Sequence, residues 1–120
     1  MKKVLLDTDV LLDFLFDRAP FSKYATEVLN LCKINVIRGY ATPLIIANIH
    51  YLLRKTAKHE MVIEKLSQLL TMIDIVQMNR NTVLKALHSD FKDFEDALQN
   101  YAAIETKEIT VILTGNIKDF

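Results

Sequence analysis

Apolar positions along the chain fall into two textures. Short, largely apolar runs at Val4-Leu5-Leu6, Val36 to Ala41, Ile73 to Met78 and Ile109 to Leu113 read as strands, the first unbroken as suits a strand covered on both faces. Between them, apolar residues recur three and four apart. That period predicts helices over Val10 to Phe16, Ser22 to about Cys32, Pro43 to Leu53, His59 to Thr71, Asn79 to Leu87 and Asp93 to Glu105. Ser22, Thr42, Asn79 and Asp93 read as N-caps, and Pro43 suits the first helical position after Thr42. Tyr24, Ala25, Val28, Leu29 and Cys32 form the inner face of the second helix. The third carries Leu44, Ile45, Ala47, Ile49, Tyr51, Leu52 and Leu53, apolar nearly all round, and reads as well buried. Strands alternating with helices predict an α/β fold, a parallel sheet with helices on both sides.

The strands end in polar residues. The first stops at Asp7-Thr8-Asp9, the second at Thr42 and the fourth at Thr114-Gly115-Asn116. Open α/β sheets bind ligands outside the carboxyl ends of their strands, so the chemistry is expected along that rim. With 120 residues, half of them apolar and only two Gly and two Pro, the chain reads as one domain over residues 1–120. It stops soon after the fourth strand, where an α/β domain would commonly add another, and so reads as a short or C-terminally truncated form.

Charge narrows the partners. Fifteen basic residues balance fifteen acidic ones, so a polyanion has to be held by a local basic patch or through metal ions. Lys2, Lys3, Arg54, Lys55 and Lys58 include a basic cluster at the end of the third helix, whose plain reading is a solvated helix terminus. The lone Cys32 fits a reducing compartment. Asp7, Asp9, Asp13 and Asp17 interrupt the signal-like start after Met1-Lys2-Lys3, and a cytoplasmic location is expected.

Candidate site residues are Asp7, Asp9, Asp13, Asn48, Asp93, Glu95, Asp96, Asn116 and Asp119. Carboxylates converging without matching cations repel one another, and a divalent ion commonly neutralises them. Oxygen-only ligands point to Mg²⁺ or Mn²⁺. Each residue also has a plainer reading. Asp7 and Asp93 suit helix caps, Asp9 and Asp13 capping or solvated positions, and Asp96 the favourable first turn of a helix. Asn116 and Asp119 suit ordinary turns. His50, His59 and His88 show no zinc-ligand spacing with one another or with Cys32.

Taken in order, these segments resemble the PIN-domain family of metal-dependent ribonucleases, closest to the bacterial branch of VapC-type toxins. The resemblance rests on Val4-Leu5-Leu6-Asp7-Thr8-Asp9-Val10-Leu11-Leu12-Asp13, Asp17-Arg18-Ala19-Pro20-Phe21 and Ala47-Asn48-Ile49-His50-Tyr51-Leu52-Leu53. Lys92-Asp93-Phe94-Glu95-Asp96-Ala97-Leu98-Gln99 and Leu113-Thr114-Gly115-Asn116-Ile117-Lys118-Asp119-Phe120 complete it. It implies a three-layer fold with strand order 3-2-1-4-5, here without its last strand, and Mg²⁺- or Mn²⁺-dependent hydrolysis of RNA. It also implies a protein antitoxin and self-association as a homodimer. Asp7 and Asp96 match family acids and Asp93 an additional acid of this branch. Asn48 stands where many members carry glutamate, and Asn116 where many carry the last aspartate, with Asp119 nearby as a substitute. Thr114 matches a supporting polar residue.

Two other readings compete. The amides at 48 and 116 suit a catalytically weakened scaffold that binds RNA or a protein partner. Asp7-Thr8-Asp9-Val10 also fits the opening motif of haloacid-dehalogenase-type phosphatases, with Asp7 as nucleophile, Asp9 as general acid and Thr42 on the phosphate. The glycine usual after the second acid is missing from that motif, and Asp93 to Asp96 stay unexplained by it.

Overall fold

Val4, Leu5 and Leu6 are apolar at consecutive positions because both faces of their strand are covered. Val4 and Leu6 join one hydrophobic cluster and Leu5 another. The computed structural model describes residues 1–17, 19–106 and 109–113. Its elements run β1 (Lys2–Leu6), α1 (Thr8–Phe16), α2 (Ser22–Lys33), β2 (Ile37–Ala41), α3 (Pro43–Arg54) and α4 (His59–Leu69). They continue with β3 (Ile73–Ile75), α5 (Arg80–Leu87), α6 (Phe94–Glu105) and β4 (Ile109–Leu113).

The four strands pair in parallel in the order β3-β2-β1-β4, the first four places of the expected order. The larger cluster joins Val4 and Leu6 to buried residues of α1, α2, α3 and α4, so these helices cover one face. Leu5 and Tyr40 meet Ala102 and Ala103 of α6 on the other. Strand order reverses between β1 and β4, which makes the crevice beside Asp7 the switch point of the sheet.

Several local expectations change. Ser22 is the first helical residue of α2 rather than its cap, and Phe21, at the cap position, makes no side-chain cap bond. Val36 lies outside β2, because its amide closes α2 by bonding the Leu31 carbonyl (2.9 Å). Asn35 takes the left-handed conformation this helix ending requires (φ 63°), which Asn tolerates better than most residues. β3 ends at Ile75, although Val76 still donates to the Ala41 carbonyl (3.0 Å). α4 ends at Leu69, two residues early.

The largest change concerns α3, which is amphipathic rather than buried all round. Ile45, Ile49 and Leu53 face the core while Ala47 and Tyr51 are exposed. Within β2, Gly39 is fixed by a close approach. A Cβ there would lie 2.7 Å from the Cys32 sulfur, so α2 packs against bare backbone. Among the described residues, no helix is long and apolar enough to cross a membrane.

Candidate metal centre

Asp7 leaves β1 in an extended conformation (φ −71°, ψ 162°), held to the end of β4 by its amide on the Leu113 carbonyl (3.0 Å). Its carboxylate caps α1 by accepting from the Thr8 amide (2.6 Å). Next door, Thr42 leaves β2 and caps α3, its hydroxyl accepting from the Ile45 amide (3.0 Å). Asp93 caps α6, its Oδ1 accepting from the Glu95 (2.8 Å) and Asp96 (3.3 Å) amides. α1 and α3 thus start at neighbouring strand ends, and the first turn of α6 faces the same cavity.

That cavity, of about 400 Å³, is lined on its polar side by Asp7, Asp9, Thr42, Asn48, Glu95 and Asp96. Leu44, Ile45, Leu52 and Leu98 supply apolar wall, and Thr8, Tyr51 and Gln99 complete the lining. No lysine, arginine or histidine stands among these residues. The imbalance is felt at Asp7, whose carboxyl is pushed above its ordinary value of 3.8. Burial is the main cause, opposed by the Thr8 amide and reinforced by the charges of Asp9 and Asp96.

Asp7, Asp96 and Asn48 therefore meet on one cavity, from the ends of β1, α6 and the middle of α3. Asp93 does not line it. The first-turn amides of α6 bond its Oδ1, so the geometry shows Asp93 as the cap of that helix. Asp9 departs from its solvated reading by lining the cavity, and Asp13 departs too, being buried on α1 at 4% exposure. Thr114, Asn116 and Asp119 lie outside the described residues. The His50 and His59 rings pack edge to face at 6.4 Å, and neither lines the cavity. Sequence reading missed Tyr51 and Gln99 as lining residues. Their signal was present, since each lies three positions after a site residue (Asn48 and Asp96) on the same helix.

Among the described residues, no group of three or more His, Cys, Asp or Glu side chains is placed to hold a metal. What the cavity offers is the Asp7 and Asp96 carboxylates with amide and hydroxyl oxygens beside them. Oxygen donors of this kind suit a hard divalent cation, and the Asp7 carboxyl, raised first by burial, is raised further by the charges of Asp9 and Asp96. On donor chemistry and charge, the residues present fit such an ion.

A family model described as PIN domain matches residues 3–118. Among solved structures, the chain is similar to VapBC2 from Rickettsia felis bound to a DNA fragment from their promoter. The TM-score is 0.72 at 18% identity, over 98% of this chain and 90% of that one. It is also similar to Mycobacterium tuberculosis VapC20, a toxin that cleaves the sarcin-ricin loop. Here the TM-score is 0.68 at 14% identity, over 97% and 93% of the two chains. No curated protein matches by sequence.

Proposed function

The chain belongs to the PIN domain family, and on that premise we propose that it is a divalent-metal-dependent ribonuclease, the toxin of a toxin–antitoxin pair. One observation carries the reading. Asp7 and Asp96, remote in sequence, line one cavity with no lysine, arginine or histidine among its described lining residues, and the charge of Asp96 helps raise the Asp7 carboxyl. Asp7 and Asp96 would hold Mg²⁺ or Mn²⁺ between them. Bound there, the ion would supply Lewis acidity toward a phosphoryl oxygen and acidify a water.

The remaining steps fall to the chain itself. The Asn48 amide can donate to a phosphate oxygen or a water while its carbonyl accepts. Thr42 already accepts from the Ile45 amide and keeps its hydroxyl proton to donate. Asp93 is a positioning residue, fixing the first turn of α6 and with it Asp96. Asn116 is proposed to orient a water beside the ion, with Thr114 and Asp119 in support. RNA is the proposed substrate, in the cytoplasm. One neighbour was solved as VapBC2, which supports a protein antitoxin as partner, and a homodimer remains part of the proposal.

Manganese-dependent cleavage of RNA by the intact chain tests this. Asp7→Asn and Asp96→Asn should each reduce it by more than ~10²-fold, since even residues behind metal ligands cost about 10–100-fold. Equal cleavage by all three proteins rejects the assigned ligands. The dehalogenase-like alternative also has Asp7, Asp9 and Thr42 on the cavity, but the family match over nearly the whole chain favours the nuclease. The weakened scaffold is favoured by the amide at 48 and by the absence of a three-acid metal group among the described residues. RNA binding without metal-dependent turnover would select it.

A further inference from the structure

The cavity presents four carboxylates, yet a nuclease must hold a polyanion beside them. Resting on the nuclease reading above, we infer that Tyr51 of α3 and Lys55, the residue that caps its C-terminus, form a subsite for single-stranded RNA. The Tyr51 ring stacks on a nucleobase of the strand, and Lys55 meets a neighbouring phosphate.

Three observations carry this. Leu44, Asn48, Tyr51 and Lys55 recur at i, i+4, i+7 and i+11, so they form one stripe along α3. The first three line the cavity, and the stripe runs from it outward toward Lys55. Tyr51 is 65% exposed although it forms part of the cavity wall. The Lys55 ammonium lies 4.9 Å from the centroid of its ring, steadying one side of the ring and leaving much of it in solution.

A lone exposed aromatic needs no explanation. This one shares a stripe with Asn48, borders the acidic cavity and carries a cation at its back. The chain has no net charge to attract RNA in bulk, so beyond the proposed metal a local cation beside the acids is the remaining source of attraction for the strand. Arg54, whose Nη1 bonds the Ala57 carbonyl (3.0 Å), adds a second positive charge at this end of α3. From Asn48 to Lys55 is about 10 Å along the axis of α3, so a strand with one phosphate at the cavity can lay a following base on Tyr51 and a further phosphate on Lys55. Stacking on a side chain requires an unstacked base, which a single strand supplies and a duplex does not.

The test is fluorescence anisotropy with a short unstructured RNA, the same strand with abasic positions, and its duplex. The full chain carrying Asp7→Asn, which stops turnover, is the parent. Tyr51→Ala should weaken single-strand binding on the order of 10-fold while Tyr51→Phe stays within about twofold. The abasic strand and the duplex should not distinguish Tyr51 from alanine. Lys55→Ala should flatten the logarithmic salt dependence by about one. The inference is overturned if the parent binds no RNA, or if Tyr51→Ala binds the strand as tightly as the parent. It is equally overturned if Tyr51→Ala alters self-association in sedimentation without altering RNA affinity, making the stripe a protein contact. Cleavage by the unsubstituted chain separates the two proposals. Normal cleavage with no Tyr51 dependence sinks the subsite alone, and Tyr51-dependent binding without cleavage sinks the nuclease reading alone.

Discussion

β1 ends in Asp7 and its neighbour β2 ends in Thr42. Both residues are extended, both cap the following helix, and both line the same cavity. Thr42 does this as a neutral hydroxyl, 2% exposed and satisfied by the Ile45 amide. Asp7 does it as a carboxylate that burial and two neighbouring acids hold in its protonated direction. A cap requires only an acceptor oxygen, which threonine already supplies. The acid at β1 carries a cost that the threonine at β2 does not, and under the proposed function a bound cation would offset its charged part.

Substitutions at the two strand ends should move stability in opposite directions. Thr42→Ala removes the acceptor of a buried amide and should cost about 1–2 kcal/mol in chemical denaturation. Thr42→Ser should restore most of it. Asp7→Asn keeps a good cap and removes the charge. The folded-state carboxyl lies above 3.8, so its favourable contribution is complete below that value and is lost as pH rises through the folded pKa. At neutral pH, Asp7→Asn should therefore melt higher than the parent without added metal, by a small margin that vanishes in acid. A lower melting temperature at pH 7 would make Asp7 a structural acid like any other.

Asp93 sharpens the same contrast from α6. Asp93→Ala should lose about 1 kcal/mol of stability, Asp93→Asn only a few tenths, because both oxygen-bearing residues can cap. Asp93→Asn should also keep most of its cleavage. If it loses cleavage as fully as Asp7→Asn does while remaining as stable as the parent, Asp93 is a ligand after all.

Much of this was legible before the fold was known. The run ending in Asp7 gave the first strand, because a strand covered on both faces shows itself as unbroken apolar sequence, and Gly39-Tyr40-Ala41 ending in Thr42 repeated its apolar-to-polar step at the same rim. The start of α6 followed from Asp93, whose cap bonds are local. The exposed side of α3 was not legible. Leu44, Tyr51 and Leu52 read as core because they are apolar, and only the arrangement of α1, α4 and α6 around α3 decides which of them border a cavity. The burial of Asp13 was not legible for the converse reason, since a single acid on an apolar helix resembles a capping or solvated position until its packing is known. The meeting of Asp7 with Asp96 came from family resemblance alone, because spacing along the chain carries no information about a contact across the sheet.

The central claim is that Asp7 and Asp96 together grip one divalent cation. Titration of Mn²⁺ into the intact, metal-free protein, followed by calorimetry or electron paramagnetic resonance, tests it most directly. Saturable binding should be present in the parent and in Asp93→Asn, and lost in both Asp7→Asn and Asp96→Asn. Binding that survives the loss of either carboxylate, or that never occurs in the parent, contradicts the claim.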